Sequence, residues 1–196
     1  GTGWYVDSIS LVGGGDLTNQ APVITSAAES SSGETVTDPD STIFEIIRGA
    51  STSLTVTASD DGSDSNLAYA WSVSKGSPVF FSPNSTNAAQ STNVDFEAVG
   101  DYELMVSIRD PEGLTVTSMV NVRVLETASD IALTPAIASI TYGMTEEFTA
   151  SMLDQFGNAM TIQPTSFTWN TSGGGTIDSN GLFNATAAGG PFVIAA

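Results

Sequence analysis

The residues best suited to chemistry in this chain are acidic, and they are densest in one short stretch. Asp60, Asp61 and Asp64 fall within five residues of each other in a predicted turn, with Asn66 close behind them. Calcium takes about six to eight oxygen ligands, which loop carboxylates and carbonyls commonly supply. The stretch therefore predicts a calcium site, although it lacks the spacing and the closing Glu of an EF-hand loop. The alternative is a solvated turn in which Asp is simply a good turn former.

A weaker calcium ligand is Asp110, which begins the predicted turn "DPEG". Asp110 would strengthen the calcium prediction if the fold brought it beside the Asp60 turn, and the same holds for Asp38 in "DPDS". Calcium is the one cofactor that the sequence suggests.

The residue types that are missing exclude most enzymatic chemistry. The chain of 196 residues contains no His and no Cys. This removes thiol nucleophiles, disulfides, the usual zinc sites and every Ser–His or Cys–His pair. Two carboxylates can hydrolyse a glycosidic bond, but they need a fixed separation and one raised pKa. Acids in exposed turns meet neither condition, so we predict that the protein is not an enzyme.

Charge limits the partners that the chain can have. It carries 22 Asp and Glu against 4 Lys and Arg, a net charge of −18. Such a chain repels the phosphates of nucleic acids and anionic membrane surfaces, so we expect neither as a partner. The sequence also lacks any run of about 18 apolar residues, so we expect no membrane insertion.

Aromatic residues and asparagines offer two possible contacts with sugars. Trp71 and Trp169 lie on apolar alternating faces, which predicts that they pack in a core and do not form a sugar-binding platform. Asn84, Asn170 and Asn184 stand in N-x-S/T sequons. These carry glycans only if the source organism glycosylates asparagine. Surface glycans are therefore kept as a candidate partner.

The elements that would position these residues are short strands separated by turns. Apolar and polar residues alternate in several stretches, as they do in strands with one buried face. These stretches include residues 54–58, 67–73, 102–108 and 120–124. About seven short strands with turn signals between them predict a β-sandwich, and the whole chain reads as all-β.

Residues 21–127 form the first predicted domain. "LAYAW", "VDFEAVGDYELMVSIRD" and "GLTVTSMVNVRV" resemble the PKD-type and related cadherin-like Ig folds of secreted bacterial proteins. The resemblance implies a β-sandwich that serves as a spacer or adhesive module. It also draws attention to Glu126 and Asp130, because related cadherin-like arrays clamp calcium at domain junctions.

Residues 128–196 form the second predicted domain, which resembles bacterial Ig-like domains of the invasin/intimin type. The similar pieces are "ALTP", "EEFTASMLDQFGN", "FTWNTSGGGTID", "NGLFNATAAGG" and "FVIAA". Domains of this type usually continue into a further strand, so we expect this one to lack its last strand. Together the two resemblances imply tandem Ig-like β-sandwiches of an extracellular or cell-surface bacterial protein.

Residues 1–20 hold an extra strand and a Gly-rich linker. "GWYVDSISL" resembles the closing strand of jelly-roll modules in secreted bacterial proteins, and "GGGDLTNQAP" reads as a flexible linker. The strand has no evident partner nearby in the sequence. We therefore consider it a donor strand that would make its contacts through Trp4, Tyr5, Val6, Ile9 and Leu11.

These expectations lead to two hypotheses about function. An Ig-like sandwich that lacks a strand exposes an apolar groove, which a strand of a neighbouring copy can fill head to tail. The first hypothesis is a non-enzymatic structural or adhesive subunit, or a repeat segment, of a cell-surface assembly or filament. Its partners are other copies of itself or neighbouring domains of a longer chain. The alternative is an accessory Ig-like region of a larger secreted enzyme that degrades polysaccharide or protein.

Overall fold

The computed structural model describes residues 18–40 and 42–196, and this part of the chain is built almost entirely of strands. Besides sixteen strands it holds two short 3-10 helices, Asp64–Asn66 and Asn87–Gln90. The prediction of an all-β chain is confirmed. The predicted donor strand at residues 4–12 lies outside the described residues.

Residues 23–124 form a sandwich of two sheets. In chain order its strands are β1 (Val23–Ser30), β2 (Thr35–Thr37), β3 (Ile43–Ile47), β4 (Ser51–Ser59), β5 (Ala68–Lys75), β6 (Phe80–Ser82), β7 (Ser91–Asp95), β8 (Gly100–Arg109) and β9 (Thr115–Val124). One sheet has the order β1-β4-β7-β6 and the other the order β2-β3-β9-β8-β5. Neighbouring strands are antiparallel except for the parallel pair β3 and β9. The first sheet corresponds to the ABED sheet of the Ig fold, and β5, β8 and β9 of the second correspond to its CFG sheet, to which β3 and β2 are added, which confirms an Ig-like sandwich here.

The two sheets enclose one hydrophobic core, because alternate side chains of the facing strands point inward. All the apolar faces predicted from alternation contribute buried side chains to it, namely Leu54, Val56, Ala58, Leu67, Tyr69, Trp71, Tyr102, Leu104, Val106, Ile108, Val120, Val122 and Val124. Tyr102 also fixes the corner before β8, since its hydroxyl donates a 2.7 Å hydrogen bond to the Ala98 carbonyl. The same arrangement forms the tyrosine corner of Ig domains.

Residues 128–195 form a smaller β-structure with a core of its own. Its strands are β10 (Ala128–Thr134), β11 (Thr145–Glu147), β12 (Thr149–Asp154), β13 (Asn170–Thr171), β14 (Gly175–Ile177), β15 (Leu182–Ala185) and β16 (Ile194–Ala195). They form the sheets β10-β12, β11-β15-β14 and β13-β16. Phe148, Phe183 and Ala185 are buried in its core, and Trp169 packs against them. The predicted domain boundaries at residues 20 and 127 stay predictions.

Three tight turns share the spacing D-x-x-G, and they begin at Asp110, Asp154 and Asp178. In each turn the Oδ1 atom of the Asp accepts two backbone N–H groups at 2.6–2.9 Å. The Gly three residues later has a φ between 81° and 104°, a region that a residue with a Cβ adopts only at a cost. This spacing therefore marks turns closed by an aspartate, and the predicted turn at Asp110 is one of them.

Arg123 on β9 ties the loop before β3 to the outer face of its sheet. Its guanidinium donates to both carboxylate oxygens of Asp38 at 2.7 Å. It donates to both oxygens of Asp101 at 2.6 and 2.7 Å. The guanidinium also lies 4.2 Å from the centre of the Phe44 ring, where a cation–π attraction adds to the ion pairs. Both oxygens of Asp38 are thus engaged in a structural contact.

The contact between Asp38 and Arg123 makes the stability of the sandwich depend on pH. Hydrogen bonding to Arg123 lowers the pKa of Asp38, although burial acts in the opposite direction. A carboxyl with a lowered pKa stabilises the fold above its unfolded pKa of about 4, and this stabilisation is lost as the pH falls through the folded pKa. We therefore expect Arg123→Gln to lower the Tm clearly near pH 7, and to lower it less below about pH 3.

Two variants serve as controls for this thermal unfolding experiment. Asp38→Asn removes the charge and keeps the shape, so it should show the same dependence on pH. Arg48→Gln breaks an ion pair with Glu34 whose side chains are 59% and 52% exposed, and it should change the Tm little at any pH. Equal losses of Tm for Arg123→Gln at both pH values would contradict the role given to Asp38.

Candidate functional site

A groove of about 790 Å³ lies in the C-terminal region, between two stretches without strands, residues 135–142 and 187–193. We refer to it as the C-terminal groove. The buried side chains of Phe148, Phe183 and Ala185 are among its lining residues. Every described residue that lines it is uncharged. The groove therefore contributes nothing to the chain's net charge of −18.

The walls of the C-terminal groove contain backbone groups without backbone partners and exposed apolar side chains. Within the described part of the chain, residues 135–140 and 188–192 form no backbone–backbone hydrogen bond. Ile137, within the first stretch, is 91% exposed. Tyr142 and Val193, which lie next to the two stretches, are 69% and 66% exposed. Unpaired N–H and C=O groups next to exposed apolar side chains form a template on which a further strand can pair.

The sequence predicted an apolar groove in this region but did not assign its walls. A signal was present, because residues 135–140 and 186–193 contain no charged residue and are rich in Ala, Ile, Gly and Pro. Their lack of alternation gave no reason to place them opposite each other. The prediction that the region lacks its last strand stays a prediction.

The acidic turn that was predicted to bind calcium uses its carboxylates largely for local hydrogen bonds. Asp64 Oδ1 accepts the N–H of Asp60 at 2.8 Å, and Asp60 Oδ2 accepts that of Gly62 at 3.2 Å. Asp61 Oδ2 accepts the N–H of Gln20 at 3.2 Å. Asp60 Oδ1 is buried and accepts no hydrogen bond from the described residues, which contain no group of three acidic side chains arranged to hold a metal ion. The calcium site stays a prediction.

Asp110, the weaker calcium candidate, is buried and hydrogen-bonded through both oxygens. Besides the two N–H groups of its own turn, it accepts the side-chain amide of Asn19 on Oδ2 at 2.8 Å. Burial alone would raise the pKa of Asp110, but the hydrogen bonds outweigh it and hold the pKa below its usual value. Gln20 likewise donates its N–H to Asp61. The two contacts hold the residues just before β1 against the turns that contain Asp110 and Asp61.

The junction residues Glu126 and Asp130, considered as a second calcium clamp, accept hydrogen bonds from the protein. The Glu126 carboxylate accepts the N–H of Thr161 at 3.1 Å and its hydroxyl at 2.6 Å. Asp130 Oδ1 accepts the N–H of the residue that follows it at 2.8 Å. These bonds give both carboxylates a role that needs no cation, and calcium binding at the junction stays a prediction.

The turn "DQFGN" contacts the sandwich, a role that sequence reasoning missed. The side-chain amide of Gln155 accepts the N–H of Thr127 and donates to the carbonyl of Leu125, both at 2.8 Å. Phe156 packs against the core of the sandwich. The large apolar residue inside a polar turn was the available signal, because a solvated turn has no need of a Phe.

Trp71 and Trp169 lie where the sequence predicted, away from any exposed platform. Trp71 is 4% exposed, and its Nε1 donates to the carbonyl of Ala89 at 2.8 Å. Trp169 is half-buried against the second core. The burial of Trp71 leaves it no open face on which a sugar could stack.

Asn84 has a structural role in addition to its sequon. Its Oδ1 accepts the N–H of Trp71 at 2.8 Å, and its Nδ2 donates to the carbonyl of Trp71 at 3.0 Å. The amide thus pairs with the edge strand β5 as a neighbouring strand would. Asn170 and Asn184 are exposed on β13 and β15. Glycosylation at all three positions, and contact with surface glycans, stay predictions.

A scan of protein-family models and a search of curated proteins gave no match to this chain. Solved structures do match. A PKD domain from KIAA 1837 protein is 25% identical and covers 48% of this chain and 87% of its own, with a TM-score of 0.34. The PKD1 domain of Vibrio anguillarum Epp is 23% identical, and the match covers 55% of this chain and 96% of that domain, with a TM-score of 0.33. Drosophila N-cadherin EC1-4 is 17% identical, and the match covers 85% of this chain and 41% of the cadherin fragment, with a TM-score of 0.44.

PKD domains and cadherin fragments are therefore among the structures to which this chain is similar. The TM-scores are below 0.5, so the strand order described above, and not these similarities, defines the fold. The resemblance of residues 128–196 to invasin/intimin-type domains stays a prediction. None of the helices in the described part of the chain has the length and apolar character needed to span a membrane.

Proposed function

We propose that this chain is a non-enzymatic structural or adhesive part of an extracellular assembly, and that its C-terminal groove accepts an added β-strand. The observation that carries the proposal is the groove itself, which is uncharged, is lined mostly by apolar residues, and has walls whose backbone groups lack backbone partners. Extended segments bind such edges through main-chain hydrogen bonds, while pockets for alternate side chains provide specificity. A bacterial source is part of the same proposal and rests on the sequence resemblances.

The segment that suits the C-terminal groove is residues 4–12. A strand that enters a sandwich is covered on both faces, so it needs apolar residues on both. The segment has them, and its single charged residue is Asp7. The side chains that would be buried are Trp4, Tyr5, Val6, Ile9 and Leu11.

The acidic residues support a non-enzymatic role. A catalytic acid needs a raised pKa so that it still holds its proton at neutral pH. Among the described carboxyl groups, those of Glu34, Asp38 and Asp110 have a clearly shifted pKa, and in each it is lowered. Arg48, Arg123 and Asn19 supply hydrogen bonds that favour the charged carboxylates, which suits ion pairs and turns.

The proposal is tested by hydrogen exchange on the full chain. If a strand occupies the C-terminal groove, backbone amides in residues 136–140 and 188–192 gain partners and should exchange at least about tenfold more slowly than in Ile9→Asp. The variant Ile9→Asp places a charge in the middle of the donor segment, where an apolar side chain is required. This readout reports occupancy of the groove whichever copy supplies the strand.

Thr2→Asp is the matched control, because it adds the same charge outside residues 4–12. Its exchange pattern should equal that of the unmodified chain. Equally fast exchange of the groove amides in the unmodified chain and in Ile9→Asp, at every protein concentration, would refute the proposed strand addition.

A further inference from the structure

The chain enters the sandwich near the turn between β8 and β9 and leaves it at the opposite end of β9. The amide of Asn19 donates to Asp110, which begins the turn from β8 to β9. From that turn β9 runs along the sandwich to Val124, where Leu125 leads into the C-terminal region. The N-terminal segment and the C-terminal region are therefore attached at opposite ends of β9.

The linker between Val12 and Thr18 is shorter than strand β9, which lies between the Asn19 contact and the C-terminal region. β9 has ten residues and so covers about 30 Å. β10 then adds a further strand before its last residue, Thr134, leads into the groove wall. The six peptide steps from Val12 to Thr18 extend over roughly 20 Å at most.

In the part of the chain that the structure describes, the C-terminal region shares no sheet with the sandwich, and its hydrogen bonds to the rest of the chain lie close to the end of β9. Within the described residues, no strand of β10–β16 pairs with a strand of β1–β9. The hydrogen bonds between the two regions come from Thr127, Gln155 and Thr161, close to the end of β9. A linker shorter than β9 favours insertion of residues 4–12 into a neighbouring copy over insertion into their own chain.

Charge favours the C-terminal groove as the place where two copies meet. Each copy carries a net charge of −18, so contact between ordinary parts of their surfaces is opposed by repulsion. The groove is uncharged and the donor segment carries one charge, so this contact brings few like charges together. Residues 4–12 of a second copy can therefore bind in the groove with little electrostatic repulsion.

We infer that residues 4–12 of one copy enter the C-terminal groove of the next copy, so that copies assemble head to tail. The inference rests on the proposed function and adds the source of the strand. Because donor and acceptor are different surfaces on each copy, the contact is heterologous and repeats from copy to copy, in a closed ring or an open chain. Added salt should promote assembly, since it screens the repulsion between copies.

Disulfide trapping tests the inference directly, because the natural chain has no Cys. One full-length variant carries Ser8→Cys in the donor segment, and a second, of different mass through a tag, carries Ala188→Cys or Ser139→Cys in the groove. Both groove positions are exposed, so these substitutions should leave the fold intact. Mixing the two variants under mild oxidation should give the mixed dimer, and a chain with both substitutions should give a ladder of covalent oligomers.

The matched control pairs Ser8→Cys with Ser32→Cys, an exposed position in the turn between β1 and β2, and should give at least about tenfold less mixed dimer. A double variant that closes an internal disulfide at monomer mass would overturn the inference, as would no disulfide at either groove position. If groove amides are protected from exchange while the disulfide forms within one chain, the proposed strand addition stands and head-to-tail assembly fails.

Discussion

Trp71→Ala is expected to lower the free energy of unfolding of the sandwich by about 3–5 kcal/mol, the usual cost of deleting a buried large aromatic side chain. The indole is 4% exposed and stacks on Phe81 with 6.2 Å between ring centres. Its removal leaves a cavity between the two sheets. It also deprives the carbonyl of Ala89 of its donor, and a buried acceptor without a partner is itself costly.

A loss of this size is a large part of the stability of an ordinary domain, which is about 5–15 kcal/mol. The Tm of the sandwich should therefore fall by more than about 10 °C, measured by far-ultraviolet circular dichroism. Trp71→Phe keeps a ring and loses only the N–H, so it should cost less. Phe80→Ala, at a side chain 66% exposed, should stay within about 0.5 kcal/mol. If Trp71→Ala cost no more than Phe80→Ala, the core described here would be wrong.

Phe183→Ala is expected to unfold the C-terminal region and leave the sandwich folded. The second core consists of Phe148, Phe183 and Ala185, with a few half-buried residues around them. Deleting one of its two buried rings should cost about 3–5 kcal/mol. A core this small has little stability to spare, because small units bury a smaller fraction of their surface.

Hydrogen exchange read residue by residue provides the measurement. Amides of β12 and β15 should lose protection in Phe183→Ala, while those of β8 and β9 keep it. Leu182→Ala is the matched control, since Leu182 is the next residue on the opposite face and is 43% exposed. Loss of protection in β8 and β9 as well would show that the chain unfolds as one cooperative unit, contrary to the predicted boundary at residue 127.

The core of the sandwich could be predicted because it depends on a local rule. Side chains point alternately to the two faces of a strand, so a period of two marks the buried face. Residues 102–108 and 120–124 follow this rule closely, and the structure buries their predicted faces. Turns closed by Asp110 and Asp154 were predictable for a similar reason, since Asp and Gly shape the backbone next to them.

Contacts between distant residues could not be predicted in this way. Arg123 and Asp38 are 85 residues apart, and no local pattern connects them. The pairing of Asn84 with the backbone of Trp71 replaces a strand, whereas the sequence presented Asn84 only as a sequon. Both contacts exist because the sheets bring their elements together, and strand order depends on the packing of the whole domain.

The C-terminal groove shows which features of this protein follow from its sequence and which follow only from its tertiary structure. The sequence alone determined that the chain is acidic, without His or Cys, all-β, and uncharged in residues 135–140 and 186–193. Only the tertiary structure decided that these two stretches face each other across one concavity. The physical reason is that neither stretch has a strand partner of its own, so its position follows from packing around Phe148 and Phe183, which residues distant in the sequence supply.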